Sequence, residues 1–155
     1  MIRNGIGGSN TQTGLKFESD TDLKTALSTQ KNITIYDREV YESGNHIGTI
    51  FQKHDLYKFF FKKYEIDWKN FVSKKLLPDE AYFCLKTNTL FIIEKKYQQV
   101  EGSVDEKLQT CHFKKRQYEK LCKHINDVSK VEYVYLFNDW FKKDSYKDVL
   151  EYIED

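Results

Sequence analysis

The chain predicts an α/β (α+β) domain, and three observations carry that expectation. Short apolar or alternating runs at residues 33–36, 47–51, 81–85, 90–93 and 131–137 read as strands. Around them, Leu15, Leu23, Ala26 and Leu27, and later Val104, Leu108, Cys111, Tyr118, Cys122 and Ile125, recur at helical spacing. No composition break divides the 155 residues, so they read as a single domain over 15–155 behind a mobile, Gly-, Asn-, Thr- and Ser-rich segment at 1–14.

Taken in order, the first helix opens near Thr13, a possible N-cap. The runs at 33–36 and 47–51 form an early hairpin about a turn at 42–46, where Ser43-Gly44-Asn45 supplies turn chemistry. Residues 55–75 are aromatic and basic and read as one or two short helices or irregular structure. Pro78, the only proline, precedes Asp79 and a strand at 81–85; a turn at 86–89 leads into a second strand that runs through 90–93 into Glu94-Lys95-Lys96. After Gly102, Ser103 and Glu106 form a capping box. It opens one continuous helix to about Asn126, its apolar stripe broken only by Lys115. The run at 131–137 reads as a strand buried on both faces, and 145–153 as a terminal helix.

Composition excludes several classes. Hydrophobic residues at 39% and charged residues at 32% suit a soluble globular chain, and no apolar run is long enough to span a membrane. Three cysteines without an apolar leader suggest neither a disulfide framework nor secretion, so a cytoplasmic protein is expected. The formal charge of +1 conceals basic clusters at Lys62-Lys63, Lys74-Lys75, Lys95-Lys96, Lys114-Lys115-Arg116 and Lys142-Lys143, so a local basic surface is compatible with a near-neutral chain.

The chemistry concentrates at the strand pair around Thr87-Asn88. An antiparallel hairpin centred there places Asp79 opposite Lys96, Ala81 opposite Glu94 and Phe83 opposite Ile92. Side chains alternate, so Asp79, Glu94 and Lys96 share one face, while Glu80 and Lys95 point to the other. Two carboxylates and an ammonium at the ends of apolar strands are costly to desolvate unless they pair or hold a cation. Oxygen donors of this kind suit magnesium, which keeps several waters and uses one or two carboxylates with substrate phosphate.

Pro78-Asp79, fourteen intervening residues and Glu94-Lys95-Lys96 resemble the catalytic motif of the PD-(D/E)xK nuclease superfamily. The surroundings, from Ser73-Lys-Lys-Leu-Leu-Pro-Asp-Glu-Ala81 through Ile92-Ile-Glu-Lys-Lys-Tyr-Gln-Gln99 to Gly102-Ser-Val-Asp-Glu-Lys-Leu-Gln109, look like bacterial type II restriction endonucleases. So does the opening stretch from Gly7 to Glu18. The resemblance implies a restriction-endonuclease-like αβββαβ core with a central mixed sheet flanked by helices. It further implies Asp79 and Glu94 as metal ligands and Lys96 as the group that orients or helps deprotonate the attacking water; Glu80 and Lys95 are not expected as side-chain ligands, which leaves the Lys95 backbone carbonyl as an additional candidate ligand outside that pattern. Glu18 would stand near the metal from the first helix. The implied cofactor is Mg2+, with Mn2+ able to substitute, and the implied activity is site-specific cleavage of double-stranded DNA to 5′-phosphate ends by a homodimer, encoded by a bacterium or phage. The alternatives are a repair, recombination or phage-related nuclease of the same superfamily, or a DNA-binding module without catalysis.

Each of these residues has a plainer reading. Asp79, Glu94 and Lys96 could be a salt-bridge cluster at a strand end, and Glu18 a solvated helix charge. Gln99, with Gln98 ranked behind it, could touch DNA or the active site, or be an exposed strand-end residue. Lys107, Lys114, Lys115, Arg116, Lys120 and Lys123 are either a solvated helix face or contacts to DNA phosphates, which fix register without reading sequence. Cys111-His112 and Cys122-x-His124 suggest zinc, but on one helix the cysteines stand about 16 Å apart, too far to share an ion.

Overall fold

The computed structural model describes residues 14–102 and 104–155, so the expected mobile segment, the Thr13 cap and the Ser103 capping box lie outside the described residues. The described chain builds a mixed α+β domain on one six-stranded sheet, ordered β1-β2-β3-β4-β5-β6. Strands β1 (Ile33–Tyr36), β2 (Glu39–Glu42), β3 (Asn45–Gln52), β4 (Glu80–Cys84) and β5 (Thr89–Lys96) form an antiparallel meander. Strand β6 (Lys130–Phe137) lies parallel to β5, a pairing that requires a crossover. Helices α3 (Val104–Leu108) and α4 (Cys111–Cys122) provide it. Among the described residues no helix is long and apolar enough to cross a membrane.

Several elements depart from the sequence reading. The N-terminal helix is two, α1 over residues 14–20 and α2 (Leu23–Ser28). Thr21 folds its hydroxyl back onto the Phe17 carbonyl at 2.6 Å, and Asp22 restarts the helix by accepting from the Thr25 N–H at 3.0 Å. The early hairpin is a three-stranded meander. Its middle strand escapes the sequence reading because Glu39-Val-Tyr-Glu42 buries only Val40 and reads as polar. The expected turn region instead joins β2 to β3 through Ser43-Gly44, both at positive φ, as a tight hairpin demands.

The segment of uncertain reading becomes a π-helical turn, Leu56–Phe61, and a 3-10 turn, Trp68–Asn70. Four of the six π-helical residues, Leu56, Tyr57, Phe60 and Phe61, are buried against the sheet. The helix expected to run unbroken to Asn126 breaks at Gln109-Thr110. Strand β6 is an edge strand: Val131 is buried, but Val134 and Leu136 on the other face are 41% and 38% exposed, contrary to the expectation of burial on both faces. The terminal helix α5 (Lys147–Glu154) starts two residues late, after two 3-10 turns.

The register of β4 and β5 fixes the site. Ala81 pairs with Ile92, Phe83 with Leu90 and Cys84 with Thr89, so the loop is Leu85-Lys86-Thr87-Asn88, with Asn88 at positive φ. The turn sits one residue earlier than expected, which moves each partner by two: Ala81 faces Ile92, not Glu94. A shift of two preserves the face. Ala81, Phe83, Leu90 and Ile92 therefore line the side covered by the π-helical turn and α4, where Tyr118, Leu121, Cys122 and Ile125 complete the main core. A smaller core of Leu108, Phe141 and Tyr146 closes the far end against Tyr135 and Phe137 of β6.

Candidate active site

The site grows from the end of β5, where the strand leaves the core still carrying its core-facing alternation. Glu94 and Lys96 occupy that face, in register with Tyr135 and Phe137 on β6. Glu94 is only 7% exposed. Its Oε2 meets the Lys96 ammonium at 3.1 Å, a partner without which burying the carboxylate would be costly. Asp79, just before β4, reaches across to β5, where its Oδ2 accepts from the Lys95 backbone N–H at 2.7 Å. The Tyr118 phenol on α4 feels both carboxylates: burial first, and then the charges of Tyr57, Glu94 and Asp79, drive its pKa far above the ordinary value. Glu94 and Lys96 thus pair on one face, as parity expects, whereas Asp79 precedes β4, accepts from the Lys95 backbone N–H and lines a cavity with Glu18, Asp22, Glu80 and Lys95.

Lys95 and Glu80 form the other half of the arrangement, on the opposite face. Lys95 Nζ lies 2.9 Å from Glu80 Oε2 with both side chains almost completely buried, and it also donates to the Glu18 carbonyl at 3.0 Å. Both Glu80 oxygens accept from the Leu23 N–H at the start of α2, at 3.2 and 3.1 Å. This ion pair clasps α1 and α2 to the sheet. Burial holds the Glu80 pKa above the usual carboxylate range despite Lys95. Parity foresees that neither side chain joins Glu94; it gives no hint of the clasp, because Leu23 and Glu18 are far away in sequence.

Glu18 contributes its backbone to that clasp, and its side chain lines a cavity of about 480 Å³ with Asp22, Asp79, Glu80 and Lys95. Among the described residues no group of three Asp, Glu, His or Cys side chains stands at metal-holding spacing, so Glu18 does not complete a carboxylate triad with Asp79 and Glu94. The Lys95 carbonyl belongs to the stretch of β5 paired with β6.

The expected DNA contacts separate. Lys107 on α3 is exposed, as is Gln99. Lys114 and Lys115 fall on the inward stripe of α4 between Cys111 and Tyr118 and are half-buried, Lys115 pairing with Glu132 of β6 at 3.5 Å. Arg116, Lys120 and Lys123 are exposed, beside an exposed Phe113. The two α4 cysteines are buried free thiols, and burial pushes Cys122 up to about 12.

Two residues near the site, Tyr133 and Tyr135, escape the sequence reading, and a third, Gln98, is ranked too low by it. Gln98, ranked behind Gln99, is 5% exposed, and its backbone is clamped by Asn138, whose Oδ1 accepts from Gln98 N at 3.1 Å while Nδ2 donates to Gln98 O at 2.8 Å. Tyr133 and Tyr135 alternate along β6 on the Glu94 face. The alternation of tyrosines in Val131-Glu-Tyr-Val-Tyr-Leu-Phe137 is the available signal. Both phenols are pushed up first by burial and then by charge, with the Glu94 carboxylate leading for Tyr133 and following Cys111 for Tyr135. Each buried polar atom left without a partner costs about 1–3 kcal/mol, so such groups are rare away from functional sites.

No protein-family model matches the chain, and neither curated proteins nor solved structures give a match.

Proposed function

We propose that the chain is a metal-dependent DNA endonuclease with Asp79, Glu94 and Lys96 as its working residues. The observation that carries this reading is a buried carboxylate, Glu94, paired with Lys96 at the end of β5, with Asp79 held on the backbone N–H of Lys95 between them. The element order supports it: helix, the meander β3-β4-β5, a crossover helix and the parallel β6 follow the αβββαβ order that the motif's resemblance implies, with β1 and β2 as an added edge.

The donor set fits magnesium or manganese. It consists of hard oxygens, and with one oxygen of each carboxylate already engaged, one of each is left to meet a cation; water and substrate phosphate would supply the rest. When bound, such a cation acidifies water and offsets charge building on the scissile phosphate. The protein's own part is to hold Asp79 rigidly through the β5 backbone and to keep the Lys96 ammonium on the same face for the attacking water or the phosphate. Lys107, Gln99 and the exposed side of α4 are the proposed DNA contacts, Lys114 and Lys115 flanking it, and a homodimer would provide two such sites for a double-strand break.

The test is to incubate the chain with supercoiled and linear duplex DNA in Mg2+, Mn2+, Ca2+ or excess chelator. Cleavage is expected in the first two, binding without efficient turnover in Ca2+, and no cutting in chelator. Robust cleavage in chelator would remove the metal mechanism. Sequencing the cut ends separates a site-specific restriction activity from recognition of DNA structure, as in repair or recombination. DNA binding with no cleavage under any condition would favour the non-catalytic module.

A further inference from the structure

A second recess lies at the other end of the β4–β5 pair from Asp79 and Glu94, beside the loop that joins Cys84 to Thr89. It encloses about 610 Å³, within the range of small-molecule sites. Phe51 and Phe83 of the sheet form one wall, and Phe59, Phe60 and Tyr64 form the wall facing it. The rings lock together: the Phe60 centroid stands 5.5 Å from Phe51, 5.2 Å from Phe83 and 5.1 Å from Tyr64. Two carboxylates line the recess, and each is engaged by the wall itself. Glu39 Oε2 accepts from the Thr49 hydroxyl at 2.8 Å and meets His46 Nε2, and Asp127 Oδ2 accepts from the Tyr64 hydroxyl at 2.9 Å. The two cations are not matched in this way. Arg38 lays its guanidinium 3.5 Å from the centre of the Phe59 ring and pairs with exposed Asp37, which is not part of the lining. Lys63 stands 5.4 Å over the Tyr64 ring, and among the described residues no carboxylate pairs with it.

We propose that this recess binds a nucleotide, its base against the aromatic walls and its phosphate on Arg38 and Lys63. Every nucleobase offers a π face that stacks on aromatic rings whatever its sequence context. Arginine presents a planar fork of donors that matches phosphate, and a lysine without a carboxylate partner adds a second positive charge at the same recess. Asn88, exposed where the loop returns to β5, supplies an amide donor and acceptor of the kind a base edge needs. A neutral aromatic compound would leave the two cations unused, and inorganic phosphate would leave the rings unused; a nucleotide uses both. The recess needs neither a metal nor Glu94, so the inference stands apart from the endonuclease reading. The nucleotide is either free or one turned out of a DNA strand.

Titration calorimetry of the full chain in excess chelator, with deoxyadenosine 5′-monophosphate, deoxyadenosine and inorganic phosphate as probes, tests this without any metal or turnover. The monophosphate should bind saturably and about tenfold tighter than either fragment. Arg38→Gln should weaken it about tenfold and Lys63→Ala by less. Lys62→Ala, an exposed neighbour outside the recess, should leave binding unchanged. If Arg38→Gln fails to fold, the exposed Lys63→Ala decides alone. Duplex DNA with one mismatch, added in competition, identifies the source: displacement of the monophosphate assigns the recess to a strand-held nucleotide, and undisturbed binding assigns it to a free one. Absence of saturable binding overturns the proposal. So does deoxyadenosine binding as tightly as its phosphate, or an equal loss in Lys62→Ala and Lys63→Ala.

Discussion

Glu94→Gln and Asp79→Asn should each lower DNA cleavage at least about 100-fold while leaving the fold intact, because each removes the negative charge a hard cation needs and little else. In Glu94→Gln the new amide oxygen can still accept from Lys96, and in Asp79→Asn it can still accept from the Lys95 N–H, so both local hydrogen bonds survive. Alanine would confound lost charge with lost structure at Glu94, which is buried. Lys96→Ala should also be inactive but keep its affinity for metal, since it frees a carboxylate oxygen and removes no ligand. Cleavage rates with calorimetric metal affinities separate these cases. Wild-type-like rates in both carboxylate variants would show that the cluster is a strand-end salt bridge.

Lys95→Met should have the opposite character, costing about 3–5 kcal/mol of stability with no direct effect on the chemistry, because it strands Glu80 as an uncompensated buried charge. In a chain of this size that lowers Tm on the order of 10 °C. A second change, Glu80→Gln, should recover much of the loss, since glutamine removes the charge and still offers an acceptor to the Leu23 N–H. The pH dependence has a definite sign. Glu80 already titrates above the usual range in the folded protein, and without Lys95 it rises further. The variant's deficit is therefore largest at neutral pH and shrinks as pH falls and Glu80 takes up its proton. A deficit that is flat with pH, or not eased by Glu80→Gln, would mean that the clasp acts through packing alone.

These neighbours show what is legible in the sequence. Period-two alternation sorts Lys95 from Lys96, and a register error of two residues leaves that sorting intact, because only an odd shift exchanges the faces of a strand. The same logic cannot see that Lys95 binds the Glu18 carbonyl and Glu80, since the first of those contacts joins residues separated by 77 positions. Strand β2 escapes notice because a short strand near the sheet edge with two glutamates has almost no apolar pattern to read. The long helix reads as unbroken because its stripe runs on across Gln109-Thr110, although the backbone does not. Position alone favours Gln99 over Gln98, and only packing distinguishes an exposed amide from a buried one.

The clasp also sets an order in time. Helix α2 buries none of its own residues and is too short to persist alone in water. Its anchorage to the sheet comes from Glu80, 57 residues beyond Leu23, and through Lys95. Such distant partners close late, after the local meander has formed. Helices α1 and α2 should thus be the last to dock and the first to detach, and their amides should exchange with solvent ahead of those in β4 and β5. Each such opening bares the Lys95 and Glu80 pair to water across a surface built to be covered.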